Sequence, residues 1–295
     1  MVHLQLSFMR LALRRLTVAI GCALPLLLSG TGVSAQATVR AVTIAAAALE
    51  SADAVRHLLA SAVADGATAI VVTVPVYGAP DSGFDGVTAL IAAAHDRGLQ
   101  VRASVLTNVV TTGDVLPASR DHVLYQHPEW LMVPRAIAPE MLRIDVHSPG
   151  YIGRLARWAR ANRELVAGLY LSPLSPAAAD YAARAVDELV RRYAFDELDV
   201  RAAPFPEDDF DYSRLAIDTF RSDTRSRLGA AERARMDEIE AIDPFAYPDE
   251  YPGEWRLFRR SRLDDLVARV SASARAARPS LLLAAGDAGT SADAP

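Results

Sequence analysis

The chain has one cysteine, Cys22, and no lysine among its 295 residues. A single thiol excludes a disulfide framework. Cys22 also falls in a segment expected to be removed, which excludes thiolate chemistry. All 31 basic residues are therefore arginine. These arginines are interleaved with acids along the predicted helices and the net charge is -5, so nothing points to nucleic acid as a partner. Glycine-rich phosphate loops, a serine nucleophile elbow and closed zinc spacings are missing too, so neither a cofactor nor a metal is expected. No internal repeat interrupts the chain, and its interior has no linker-like stretch.

What is present begins with an export signal. Arg10, Arg14 and Arg15 form a basic start, Leu16 to Leu28 is apolar, and Val33-Ser34-Ala35 before Gln36 has the small-residue pattern of a cleavage site. The apolar run is too short to be read as a permanent span. The expected division is a signal peptide over 1–35, one domain over 36–286 and a small, polar tail over 287–295. The protein is then periplasmic or extracellular, with no integral membrane segment after cleavage. With 51% hydrophobic residues, the domain can build one large core.

Within that domain, β-rich and helical patterns alternate. Val39 to Ala46, Ala69 to Val76, Leu99 to Leu106, Asp196 to Ala202 and Ser280 to Ala285 read as strands. Helices are expected from Ser51, as N-cap, to Ala64, and from Gly86 to Arg97, closed by Gly98. Further helices fall near 149–165, 176–193, 212–227, 230–242 and 255–277. Thr107 to Arg120 reads as a long loop. Strand and helix in alternation, with no hairpin signal, argue a parallel sheet.

The fourth predicted strand carries the most chemistry. In Glu197-Leu198-Asp199-Val200-Arg201, alternation puts three charged groups on one face and two apolar ones on the other. Charged groups on a central strand require water, partners or a ligand. A Pro-rich loop then leads into the acidic run Glu207-Asp208-Asp209-Phe210-Asp211.

Five segments, in order, resemble a known family. They are Ala94-His95-Asp96-Arg97-Gly98-Leu99-Gln100-Val101, His127-Pro128-Glu129-Trp130-Leu131, Tyr170-Leu171-Ser172-Pro173 with Pro176 and Tyr181, Arg192-Tyr193 with Asp196, and Trp255 with Arg259-Arg260. Together, from about Val39 to Ala285, they resemble the bacterial glycosyl hydrolase-like family 10, exported β/α-barrel proteins. The resemblance implies an α/β, TIM-barrel-like fold and hydrolysis of O-glycosyl bonds in a cell-envelope or extracellular glycan. It also implies a carbohydrate or peptidoglycan-type ligand. Five β/α units are too few to close a standard barrel. The expected fold is therefore incomplete or open at its C-terminal end, and three outcomes stay open: a distorted barrel, pairing with another copy as a homo-oligomer, or a truncated product.

The polar positions depart from the family pattern. Arg201 stands where the family's fourth strand ends in an acid, Asp199 replaces a His, Glu197 a Gly, and Ser172 an Asp. Arg102 and Ser104 replace a His and a Trp. Glycoside hydrolysis uses two carboxyl groups flanking the scissile bond. The candidate catalytic residues are Asp199, Glu207 and Asp211. Arg102 and Arg201, with the aromatic rings Tyr77, Trp130 and Tyr212, are the candidate substrate-binding residues, since flat rings stack on sugars. An alternative reading is a non-catalytic, glycan-binding or scaffold relative with a degenerate site. His95 is expected to tie a helix end to a neighbouring loop. His122 and His127 fit no closed metal pattern.

Overall fold

The computed structural model describes residues 40–78, 84–112, 116–206 and 210–284. The expected signal peptide, the polar tail and Glu207 lie outside the described residues. In chain order the elements are β1 (Ala41–Ala45), α1 (Ala52–Ala64), β2 (Ala69–Thr73), α2 (Gly86–His95), β3 (Gln100–Leu106) and β4 (Val109–Thr112). Then come α3 (Val123–Gln126), α4 (Ala138–Met141), α5 (Pro149–Ala161), β5 (Gly168–Tyr170), α6 (Pro176–Arg192) and β6 (Glu197–Arg201). The last are α7 (Arg214–Arg227), α8 (Ala230–Glu240), α9 (Ala246–Glu250), α10 (Pro252–Ala277) and β7 (Leu282–Ala284).

Five strands form one all-parallel sheet in the order β1-β2-β3-β6-β7. They are the five strands read from the sequence. The fold is α/β and barrel-like but open: among the described residues, β1 and β7 remain unpaired edges.

Local chemistry sets the element ends. The Ala54 amide donates to the Ser51 side chain at 3.1 Å and caps α1. Asp85 and Ser175 cap α2 and α6 in the same way, and Pro176 occupies the first turn of α6, where no amide is needed. Gly98 takes φ +70 in the turn from α2 to β3, a conformation that disfavours other residues. Gly86 is required for another reason. A Cβ there would meet the Leu49 carbonyl oxygen at 1.9 Å, so only glycine lets α2 start against the loop that follows β1.

One face of the sheet builds the core. Ile44, Ile70, Val72, Val101, Ala103, Val105, Leu198 and Val200 are buried there under the helices. Each fully buried aliphatic side chain contributes about 1.5–3 kcal/mol. α10 packs along α6 and turns Trp255, Phe258, Leu263, Leu266, Val270 and Ala274 inward at helical spacing.

The stretch expected as a loop after β3 is more ordered than that. β4 and β5 pair antiparallel, and an isolated bridge joins Leu131 to Leu171. The pair is short and its strands lie far apart in sequence, so no hairpin signal marks it. Asn108 ties this excursion to the main sheet. Its Nδ2 donates to the Ala203 carbonyl at 3.0 Å, and its Oδ1 accepts from the Ala203 amide at 2.7 Å. The loops at the C-terminal ends of β3 and β6 are thereby clamped side by side.

Candidate functional site

The second face of the sheet is different in kind. Registers place Thr43, Val71, Arg102, Glu197 and Leu282 in one row, and Ala45, Thr73, Ser104, Asp199 and Ala284 in the next. Leu106 and Arg201 pair beyond them, at the C-terminal end of the strands. These residues are exposed or half-buried, with Leu106 36% and Leu282 63% accessible. Four charged side chains cluster on β3 and β6, and they neutralise one another in pairs. Arg102 Nε lies 3.2 Å from Glu197 Oε2, and Arg102 also donates to Gln100 Oε1 at 3.2 Å. Arg201 forms an ion pair with Asp199. The hydrogen bond from Arg201 to Asp199 holds the guanidinium above its ordinary pKa, against the opposing effect of burial.

The structure thus brings together three of the predicted residues: Asp199, Arg201 and Arg102. Arg201 ends β6, and Asp199 lies two residues before it, toward the C-terminal end of the sheet, where sites form in parallel β/α sheets. Arg102 lies one row deeper. Glu207 follows Arg201 in sequence but is outside the described residues.

Asp211 is placed elsewhere, with no solvent access. Its Oδ1 accepts from the Val133 and Ser213 amides, each at 2.8 Å, and its Oδ2 accepts from the Ser213 hydroxyl at 3.1 Å. Burial pushes its pKa up, opposed by hydrogen bonds from Val133, Ser172 and Ser213. The charge of Asp211, with that of Glu129, adds to the burial that raises the Tyr151 hydroxyl. The geometry of Asp211 is that of a knot joining three chain segments.

The three candidate rings are buried as well. Tyr77 donates its hydroxyl to the Thr107 carbonyl, and burial raises its pKa. Trp130 is stacked under His127 at 3.7 Å and tilted against Tyr181 at 5.9 Å. Tyr212 packs edge-on to Phe245 and Trp255, with the Arg135 guanidinium 4.9 Å over its ring. The same area that suits a ring to a sugar also suits it to a core, and here core packing claims it.

The family-like segments meet through contacts that explain their residue types. His95 Nε2 lies 3.0 Å from Asp196 Oδ2, which also accepts from the Val101 amide at 2.7 Å. The segment around His95 and the segment around Asp196 thus lock α2 to the start of β3 and β6. His127 Nδ1 contacts Glu129 Oε1 at 3.0 Å, and the Ser172 amide donates to the Trp130 carbonyl at 2.7 Å.

Alternation puts Glu197 on the charged face; its pairing with Arg102 emerges only from the register. Thr73, Ser104 and Leu106 were missed as neighbours of Asp199 and Arg201. Their one sequence signal is that β2, β3 and β6 are successive members of the parallel set, which places them side by side. Among the described residues, no group of three or more His, Cys, Asp and Glu is close enough to hold a metal ion. A small cavity of about 130 Å³ opens between α7 and α8, but Arg221, Asp218 and Glu240 line it as an ion-paired cluster.

The model of the family described as Glycosyl hydrolase-like 10 matches residues 75–294. The chain belongs to that family. No curated protein matches it. Among solved structures, it is similar to the alpha-L-fucosidase isoenzyme 2 from Paenibacillus thiaminolyticus, at 15% identity and TM-score 0.49, over 83% of this chain and 32% of that one. It is also similar to the PgaB (BpsB) glycoside hydrolase domain from Bordetella bronchiseptica, at 15% identity and TM-score 0.47, over 83% and 64%. A hypothetical protein from Ruminiclostridium thermocellum matches at 12% identity and TM-score 0.43, over 82% and 95%. The chain therefore spans about a third of the fucosidase's length and just under two thirds of the glycoside hydrolase domain's.

Proposed function

We propose that this glycosyl hydrolase-like protein is exported and engages a cell-envelope or extracellular glycan through the C-terminal end of its open sheet face, as a binding member of its family. One observation carries this reading: Asp199, the carboxylate best placed on β6, is held in an ion pair by its own strand neighbour Arg201. That neighbour stands where the family pattern has an acid. A charge-neutral surface with exposed guanidinium donors, the Ser104 and Thr73 hydroxyls and the apolar Leu106 suits an uncharged, polyhydroxylated chain. Among the described residues, the other carboxylate on this face, Glu197, is also paired and lies a row deeper. Export rests on the signal pattern of residues 1–35. Among the described residues, no helix is long and apolar enough to cross a membrane.

Hydrolysis is the second reading. It is favoured by the position of Asp199 on the open face of β6, two residues before the strand's end, and by the acidic run Glu207-Asp208-Asp209 that follows in the sequence.

Co-sedimentation with insoluble peptidoglycan and with insoluble polysaccharides separates the two. The binding reading expects retention without released sugar, lost in Arg201→Ala. Retention that survives Arg201→Ala argues against it. Released reducing ends that vanish in Asp199→Asn would establish hydrolysis instead.

A further inference from the structure

The bonding between β3 and β6 continues past their last strand pair, Leu106 with Arg201. One residue on, the Arg201 carbonyl accepts the Thr107 amide at 2.8 Å and the Thr107 hydroxyl at 3.0 Å. The next rung is made by a side chain. An asparagine side chain carries an N–H donor and a carbonyl acceptor, as a peptide group does. Asn108 spends both on Ala203, donating to its carbonyl at 3.0 Å and accepting from its amide at 2.7 Å. Ala203 is followed by Pro204, which has no amide to donate, so the clamp falls on the last residue before the chain loses that option.

The clamp is itself anchored. Thr107 and Asn108 have no solvent access. The Thr107 carbonyl accepts the hydroxyl of Tyr77, which follows β2, and the Asn108 carbonyl accepts the Leu171 amide at 2.8 Å. Arg201 is the opposite case. Its side chain is 54% accessible, and that of its partner Asp199 is 15% accessible. An ion pair so open to water does little to hold itself in one geometry. What fixes the origin of the Arg201 side chain is the backbone beneath it, which is paired with Leu106 and then held by Thr107 and Asn108.

We infer that Asn108, with Thr107, is a positioning residue: buried itself, it pins the end of β6 so that Arg201 presents its guanidinium from the open face to the glycan. The role in binding rests on the glycan reading above. The pinning of Arg201 does not, and the test reads the two separately.

The test uses the purified full chain. Asn108→Ala removes both bonds to Ala203. Thr107→Val removes the hydroxyl bond to Arg201 and keeps the shape and the amide. Circular dichroism checks folding, and urea unfolding follows stability. The rate at which phenylglyoxal modifies Arg201, read by mass spectrometry against Arg191 on α6, reports how firmly the guanidinium is held. Co-sedimentation with insoluble peptidoglycan and insoluble polysaccharides reports retention. Asn108→Ala is expected to be modified faster at Arg201 and to be retained about tenfold more weakly, as two neutral hydrogen bonds of ordinary strength imply. Thr107→Val should move both readouts the same way and less. Ser51→Ala, which removes the cap of α1, is the control: it should lower the urea midpoint and leave both readouts unchanged. A folded Asn108→Ala with the wild-type rate at Arg201, or with undiminished retention, would overturn the inference. So would a Ser51→Ala that weakens retention as much as Asn108→Ala does, because the loss would then be one of stability alone. If Asn108→Ala does not fold, Thr107→Val decides, and an unchanged Arg201 rate there overturns the inference. A wild type that is retained by none of these glycans removes the glycan reading, and the Arg201 rates alone then decide the positioning.

Discussion

The two faces of one sheet share backbone, register and neighbours, yet they solve opposite problems. On β6, Leu198 and Val200 are buried, and the intervening Glu197, Asp199 and Arg201 reach the open side. β3 repeats the pattern, with Val101, Ala103 and Val105 against Arg102 and Ser104. The covered face is held by area removed from water. The other holds its charges by pairing them, which contributes little to stability but sets what can approach. A strand of five residues can therefore serve the core with one set of side chains and leave the other set to face whatever approaches the sheet. On β3 and β6, the departures from the family pattern fall on the second set.

Substitutions that strike the two faces unequally test this comparison. The largest effect is expected at Leu198, which has no solvent exposure on the covered face. Leu198→Ala should cost about 2–5 kcal/mol, through lost transfer energy and the cavity left behind. Leu106→Ala, on the open face, should stay within about 0.5 kcal/mol. Urea unfolding measures both, and equal costs would erase the distinction.

Asp211 lies next in size, because it ties the loops above the sheet. Asp211→Ala strands the Val133 and Ser213 amides without an acceptor and should cost about 1–3 kcal/mol or more. Asp211→Asn keeps an oxygen for those amides and should cost less. The pH dependence has a definite sign. Burial raises the pKa of Asp211 in the folded state. The folded protein therefore holds this proton more tightly than the unfolded chain does. The resulting stability is full below the unfolded carboxylate range and is lost as pH rises through the raised folded value. Asp211→Asn, which cannot ionise, should gain on the wild type as pH increases. Unfolding free energies of the two proteins across that range are the check, and a gap moving the other way would contradict the burial argument.

A small effect is also expected at Glu197. Its side chain is 22% accessible and its ion pair with Arg102 is partly solvated, so Glu197→Gln should cost about 1 kcal/mol or less. A much larger loss would mean that the open face is part of the core.

Much of this was legible in the chain. The five parallel strands, the Ser51 cap, the turn at Gly98 and the alternation on β6 follow from local spacing and steric rules. The pair β4–β5 was not, because strands of four and three residues with distant partners leave no periodic trace. The site was half legible. Alternation places Asp199 and Arg201 on a common face, whereas nothing local shows that Tyr77, Trp130 and Tyr212 are packed beneath loops. Burial of an aromatic ring is decided by what folds over it, and that information lies in residues far away, such as Tyr181 for Trp130 and Phe245 for Tyr212. The same holds for Asp211. An acidic run reads as solvated charge, and only the fold shows one member accepting amides from two segments.

The most direct test of the open face as the functional surface is carbodiimide labelling of carboxylates, read by mass spectrometry, with and without a glycan that the protein retains. Asp199 should lose reactivity when the glycan is bound, while Asp187 on α6 and Glu232 on α8 keep theirs. Unchanged labelling of Asp199, or protection confined to the helix carboxylates, would contradict the account.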